Sequence, residues 1–426
     1  MKKYSVMFQR LSLLAVFCLV AISSYSQKIS TIEVELTKAT FGLDIPVSIN
    51  LDEVTYVTDS LLNLLEIKGG KSAAIPFQIE QGNPRTLHWI VKTDVGAPGK
   101  HQYELVKGKT ALSPLVIATA NDGALTIHKG DQNLLQYYFK TVYPPKGVVD
   151  IDTDTACKKS GFIHPLWSPH GQVLTRMMPP DHYHHYGIWN AWTNVLYEGD
   201  TIDFWNLRKK QGTVRFANFV SVEDGPIFSE FGALHEHVVF NKSGGEKVAM
   251  NELQSVRVYR PQENQDFFVV DFNIQLNSAD ESPIKLLKFS YAGLGWRTTE
   301  KWDKNNSMVL TSEDKTRKDA DGSKARWCIV QGEIDNDYAG VVMMSYPTNY
   351  NFPEPMRIWP ENQFKRGDMF ANFCPIKDMD WLLKPRQNYF LKYRWLVFNG
   401  RVDKEKAESA WQYFANPPKV SVKIEK

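Results

Sequence analysis

The chain has 426 residues, 43% of them hydrophobic and 23% charged, an ordinary globular composition with enough apolar material for two or more cores. Its formal charge is +2, and removing residues 1–26 would take away Lys2, Lys3 and Arg10 and no acid, leaving −1. Neither value gives an electrostatic reason to expect nucleic acid or an anionic membrane as partner.

The N-terminus has the pattern of a secretory signal: Lys2, Lys3 and Arg10 are followed by an apolar run from Leu11 to Ile22 and by Ser24-Tyr25-Ser26 as a small-x-small cleavage site. The run is too short for a comfortable membrane span, and no later stretch reaches the ~20 apolar residues a span needs. Cys18 follows bulky Phe17, a poor context for lipoprotein processing. The expectation is a periplasmic or secreted product starting at Gln27. Beyond that point the cysteines are Cys157, Cys328 and Cys374, an odd number with no C-x-x-C pair, so disulfides are not expected to hold the fold.

In chain order the mature sequence reads as strands. Ile32, Val34 and Leu36 alternate with Glu33 and Glu35, and strand-like segments continue to Gly99–Leu105. Residues 27–112 therefore suit a small, Ig-like β-sandwich. A second, larger β domain is expected over 116–420. There Phe268, Val270, Phe272, Ile274 and Leu276 line one strand face, and the run Tyr389–Phe398 is largely apolar or aromatic on both, Lys392 and Arg394 apart, as for a strand deep in a large sandwich. One helix is predicted after an Asp403 N-cap, with Ala407, Ala410, Trp411 and Phe414 as its apolar stripe and Pro417-Pro418 ending it. The predicted class is all-β, with few helices. No βα alternation, fixed-period repeat or G-x-G-x-x-G supports a nucleotide-binding α/β fold.

Chemistry concentrates between His164 and Asn206, which holds five of the ten histidines. In Asp181-His182-Tyr183-His184-His185 an extended backbone would put His182 and His184 on one face, where they could bind a divalent metal or act as general acid and base. A third group is then needed, and His164, His170, Arg176, Asp203 and the His235-Glu236-His237 triplet are available. Structural histidines around a tight Gly187 turn are an equally good reading. Trp189 and Trp205, with Trp167 and Trp192, suit stacking platforms for sugar rings, with Asn190, Asn194 and Asp203 reaching hydroxyls; core filling is the commoner role of any one tryptophan, and Trp359 is a weaker candidate. Paired-carboxylate chemistry would draw on Asp181, Asp203, Glu236 and Glu354, with Arg357 as a clamp or an ion-pair partner. No G-x-S-x-G or H-E-x-x-H supports a serine hydrolase or a zincin.

The run His164-Pro165-Leu166, Ser168-Pro169, Gly171, Val173, Thr175-Arg176, Pro179, Asp181-His182, His184-His185, Gly187-Ile188-Trp189 resembles a family of secreted bacterial proteins catalogued as "methane oxygenase PmoA-like". The likeness extends more loosely through Asp203-Phe204-Trp205 and Phe352–Arg357 to the final strand, over most of residues 120–400. With no membrane span in the sequence, the label does not describe a particulate methane monooxygenase subunit. The resemblance implies a galactose-mutarotase-type β-supersandwich in the setting of exported carbohydrate-processing proteins, without defining a reaction. Tyr186 stands where a basic residue or histidine is expected after the paired histidines.

These readings converge on an exported carbohydrate-active enzyme that works by hydrolysis or lyase-type elimination. His182 or His184 is the expected acid/base, Asp181 or Asp203 its partner and Arg176 a clamp; His164, His185, Trp189, Asn190, Trp205, Glu354 and Arg357 are the expected substrate contacts. No cofactor is required, a divalent metal on His182 and His184 being the one option. The alternatives are a non-catalytic glycan-binding or assembly protein and a sugar mutarotase or epimerase.

Overall fold

The computed structural model describes residues 27–93, 98–108, 114–144, 157–262 and 266–425. The expected leader at 1–26 and the expected domain boundary at 112 lie outside these residues. Within them the chain is all-β, with one α-helix and antiparallel pairing throughout its sheets.

The N-terminal part forms two small sheets. In the first, Lys28–Leu36 pairs with Gly99–Lys107, followed by Leu62–Lys68 and Lys71–Ile75; in the second, Thr86–Val91 lies between Ile45–Asn50 and Gln78–Glu80. The alternation read from the sequence holds: Ile32, Val34 and Leu36 are buried, packed with Leu64, Trp89 and Leu105. The last strand of the chain, Lys419–Ile424, returns to the free edge of Lys28–Leu36, with Ile32 opposite Val422. This return, which no local pattern announces, completes the first sheet with residues from the other end of the chain.

The rest of the chain builds two large sheets and a four-stranded one. The eight-stranded sheet has Tyr389–Asn399 near its centre, between Phe267–Ser278 and Asp337–Ser345. Its inner face, with Phe268, Val270, Phe272, Tyr393 and Trp395, joins the main core. Its outer face, with Phe267, Val269, Leu396 and Phe398, packs against the N-terminal sandwich and the helix. That double coverage explains the burial of Trp395–Phe398 on both faces; the start of the strand departs from the expectation, since Phe390 is 52% exposed and shares its face with Lys392 and Arg394. The nine-stranded sheet runs Lys324–Ala325, Glu354–Ile358, Phe370–Phe373, Gly293–Arg297, Ile188–Ala191, Phe162–Leu166, Gln132–Tyr138, Ala124–Lys129, Ile117–Asn121. Its inner face closes the main core with Leu135, Ile163, Ile188, Leu294 and Trp296. Its outer face carries a separate aromatic cluster of Phe162, Tyr186, Trp189, Trp205, Trp359 and Phe370. Cys157, Cys328 and Cys374 are free and buried, and among the described residues no helix is long and apolar enough to cross a membrane.

The helix Lys404–Ala415 starts where the sequence placed it: the Asp403 carboxylate accepts from the Lys406 N–H at 2.9 Å. Ala407, Ala410, Trp411 and Phe414 face the outer side of the eight-stranded sheet. Packing outweighs capping here, since truncating a buried aromatic such as Trp411 costs roughly 3–5 kcal/mol, while losing a cap costs about 1 kcal/mol. We expect Asp403→Ala to lower the stability measured by urea unfolding by about 1 kcal/mol; an unchanged midpoint would show that the cap contributes nothing.

Candidate functional site

The site is built on the outer face of the nine-stranded sheet, and strand register places its floor. Residues directly opposite one another in antiparallel strands share a face. Arg357 pairs with Asn372, Asn372 with Gly295, and Gly295 with Trp189, giving one row across four strands. One step along, Ala191 pairs with Gly293. Alanine and glycine at these positions keep the floor low: a Cβ on Gly295 would sit 3.0 Å from the Phe370 ring. A cavity of about 230 Å³ opens above it, walled by Trp189, Trp205, Tyr291, Trp359, Phe364 and Phe370 and by the three histidines of the 181–185 loop. That volume equals the share of roughly eight water molecules, enough for a small polar ring.

The 181–185 segment does not take the extended backbone that would put His182 and His184 on one face. The His182 carbonyl accepts from the His185 N–H at 2.9 Å, and Met178 N–H donates to the His185 carbonyl at 2.8 Å, so the segment folds into turns closed by the Met177–Tyr186 bridge. Pro179 and Pro180 supply no N–H for a ladder, which favours this outcome. Gly187 closes the loop at φ +58°, where a Cβ would lie 2.1 Å from the Ile163 carbonyl oxygen. The turn brings together three rings rather than two. His182 stacks on His185 at 4.6 Å, and His184 meets His182 and His185 edge-on at 5.3 and 4.9 Å. Tyr186 points away from the cavity, packs against Phe162 and donates its hydroxyl to the Cys157 carbonyl.

Asp181 organises this cluster. Both its oxygens accept from Arg297 Nη2, at 2.8 and 3.0 Å, and Oδ2 also meets His182 Nδ1 at 3.0 Å. Burial alone would raise its pKa, but the His182 hydrogen bond and the Arg297 charge outweigh it and hold the carboxyl well below the usual range. An ionised carboxylate only accepts, so His182 Nδ1 carries the proton and the neutral ring keeps its lone pair on Nε2. Arg297 is 1% exposed and lies over the Trp359 ring at 4.6 Å. Burial pushes His184 down to about 3; a proton on His182 and the nearby Lys159 and Arg208 act in the same direction, against the opposing pull of Asp181. His185 is held well below its ordinary value by burial first, then by its neighbours His184 and His182, and its Nδ1 is buried without a hydrogen-bond partner. Both rings are therefore uncharged at neutral pH.

The aromatic walls are fixed from behind. Trp189 and Trp205 stack at 5.5 Å, 12° from parallel. Trp205 Nε1 donates to the His184 carbonyl at 2.7 Å, and buried Lys159 places its Nζ 4.3 Å from the centroid of the Trp205 ring. The opposite wall is the 359–368 loop, carrying Trp359, Gln363 and Phe364. Buried Arg317 holds that loop by donating to the carbonyls of Trp359, Pro360, Gly367 and Asp368 at 2.9–3.4 Å.

Of the residues singled out from the sequence, His182, His184, His185, Trp189, Trp205 and Arg357 line the cavity, and Asp181 supports it from behind. The others do not reach it. His164 bonds the Thr175 hydroxyl at 2.9 Å on the sheet beneath the loop. His170 sits between Asp337 and Asp266 at 2.7 and 3.0 Å. Arg176 pairs with Glu300 and Asp368 at 3.6 Å. Asp203 accepts from the N–H groups of Trp205 and Asn206, shaping the turn that presents Trp205. Asn190 points inward, because alternation sends it away from Trp189, and donates to Glu252 at 2.9 Å. His235 and His237 also face inward and bond Glu252 at 3.3 and 3.0 Å, while Glu236 faces out to Arg215. Glu354 is in the core, bonded by Ser345, Asn349 and Tyr393, and burial raises its pKa to about 7. Tyr291, Gln363, Phe364, Phe370, Asn372 and Asn206 were not foreseen. Only the register of Arg357 with Asn372 could have pointed to one of them, and register is not visible in a single sequence.

Chemically the site offers an oriented imidazole, two uncharged ones and flat apolar walls. Among the described residues no aspartate or glutamate lines the cavity. The histidines do not converge as metal ligands: in-plane lone pairs on two near-parallel rings run side by side, and no group of three or more His, Cys, Asp or Glu among the described residues has metal-holding geometry. Residues 124–412 match the family described as a family of unknown function, DUF6807; this is well over half of the chain, so the chain belongs to that family. No curated protein matches the sequence.

His164 gives a pH test of the scaffold under the loop. Burial lowers its pKa to about 4, against an ordinary 6.5 in the unfolded chain. Between those values the unfolded chain binds the extra proton, so the stabilisation present above 6.5 is lost as pH falls, by about 1.4 kcal/mol per unit. In urea unfolding, the stability gap between wild type and His164→Gln should narrow by roughly 2 kcal/mol from pH 7 to pH 5. A constant gap would show that His164 titrates normally.

Proposed function

We propose that the cavity binds a sugar ring and that His182 transfers a proton to or from it, in an elimination or an exchange of stereochemistry at a sugar carbon. The observation that carries this reading is the Arg297–Asp181–His182 chain, which leaves Nε2 of a cavity-lining imidazole as the lone-pair nitrogen. A base so oriented needs only a substrate proton within hydrogen-bond reach. The uncharged His184 and His185 beside it leave His182 as the one imidazole of the three that is hydrogen-bonded to a carboxylate.

Carbohydrate is favoured as the ligand because the walls are flat aromatic faces, which suit the C–H faces of a pyranose, while Asn206, Gln363 and Asn372 reach hydroxyl groups. Hydrolysis by two carboxylates draws less support, since it needs a pair of acids about 5–10 Å apart across the scissile bond and the described cavity wall presents none. The stacked Trp189–Trp205 pair also favours a second reading, a glycan-binding protein without turnover.

A panel of mono- and oligosaccharides followed by proton NMR in deuterated buffer separates these readings. We expect loss of signal at one ring carbon, or a new unsaturated product, with wild type. His182→Ala should reduce that rate by about 10²–10⁴-fold while sugar binding stays within about threefold. Asp181→Asn, which removes the carboxylate that fixes the tautomer, should lose at least roughly tenfold. Binding with no exchange or product over long incubation would leave the binding role alone, and full activity in His182→Ala would remove the base assignment.

A further inference from the structure

We propose that the Arg357 end of the cavity is a carboxylate subsite, so that the sugar it takes is a uronic acid; this rests on the reading of the cavity as a sugar site. The row Arg357, Asn372, Gly295, Trp189 crosses four neighbouring strands. At ~4.8 Å per strand the two ends are about 14 Å apart between Cα atoms, and both residues line the cavity. A ring stacked at the tryptophan end therefore directs its far substituent at a guanidinium.

The charge arrangement at that end is one-sided. Arg357 is the single permanently charged side chain among the described residues lining the cavity. It bonds Asp321 through Nη1 at 2.9 Å, leaving Nε and Nη2 without a partner among the described residues. Asp321 also takes Lys377 at 3.3 Å and the Ile358 N–H at 3.1 Å. One anion shared by two cations leaves the group with a net positive charge. Burial raises the pKa of Tyr291, a cavity residue whose hydroxyl has no bond partner among the described residues; the Asp203 charge adds to that push and the Arg357 charge opposes it, so the phenol lies within reach of the Arg357 field. A guanidinium edge with a phenol beside it matches the two oxygens of a carboxylate.

Between the two ends, Asn372 is 1% exposed and spends both donors on the carbonyls of Leu294 and Phe373 at 2.9 and 3.0 Å. Its Oδ1 is buried with no partner, an acceptor set in the floor for a ring hydroxyl. Together these groups bind an anion at one end, a hydroxyl in the middle and an apolar ring face at the other end.

A carboxylate here also gives the proton transfer a site. With its charge neutralised by Arg357, the C–H of the carbon bearing it becomes acidic enough for a neutral imidazole to remove. His182 Nε2 takes the C5 proton and the C–H electron pair forms the C4–C5 double bond. The C4–O bond breaks, and the leaving oxygen receives the proton that His182 carries. Nothing is oxidised or reduced overall, and the products are an unsaturated uronide and an alcohol.

Calorimetric titration of the full-length mature chain with 4-O-linked glucuronate and galacturonate disaccharides, their methyl esters, and the neutral glucose and galactose counterparts tests this. The acid should bind at least about tenfold more tightly than its methyl ester in wild type. Arg357→Gln, in which Lys377 still pairs Asp321, should lose that preference, the affinity for the acid falling to that for its methyl ester in the same variant; Arg357→Lys should recover part of it. Ultraviolet absorbance of the conjugated double bond should rise with the acids only. Equal affinity for acid and ester in wild type, or an undiminished preference in Arg357→Gln, overturns the subsite. Binding of neutral sugars without acid preference would do so while leaving the carbohydrate reading in place, whereas no binding of any of these sugars would remove both.

Discussion

Strand alternation in the nine-stranded sheet governs everything on its outer face. Trp189 and Ala191 point out to the cavity while Ile188 and Asn190 point into the core, so a one-residue slip of Ile188–Ala191 would exchange the two sets. The inner polar network makes such a slip costly. Glu252 is fully buried; burial favours its neutral form, but hydrogen bonds from His235 and His237 hold it down at about 2. Asn190 Nδ2 completes the set. Withdrawing Asn190 would leave a buried carboxylate short of a donor, a loss on the order of 1–3 kcal/mol before any packing is counted. The core network and the cavity are thus two faces of one register.

On the outer face the same economy of charge holds. Asp181 is kept ionised by Arg297, Arg297 is itself buried over Trp359, and Trp359 belongs to the loop gripped by Arg317. The orientation of one imidazole therefore depends on the 359–368 wall of the cavity being in place. His184 and His185, whose pKa values burial lowers, contribute shape and uncharged hydrogen-bonding edges rather than charge.

Much of the architecture was legible because it rests on periodicity. The alternation of Ile32, Val34 and Leu36, the burial of Trp395–Phe398 on both faces and the Asp403-capped helix each follow from local spacing, and each is where the pattern put it. The histidine cluster was legible as a cluster, but its geometry was not: a turn at His182–His185, rather than an extended backbone, sets the three rings against one another. Asn190, Asp203 and Glu354 carry the residue types of a site yet serve the core or a turn, because nothing in local sequence tells which face of a strand looks inward. Tyr291, Phe364 and Asn372 come from strands and loops more than a hundred residues from the histidines in sequence, except as long-range pairing brings them near. The return of Lys419–Ile424 to the first sheet is likewise a matter of pairing, invisible to a local pattern.

The account stands on the state of three imidazoles, which nitrogen-15 NMR of the histidine rings reads directly. It predicts that neutral His182 carries its proton on Nδ1, that Asp181→Asn abolishes this preference, and that His184 and His185 stay uncharged at pH 5. A proton on Nε2 of His182, or His184 gaining charge near its ordinary 6.5, would contradict it.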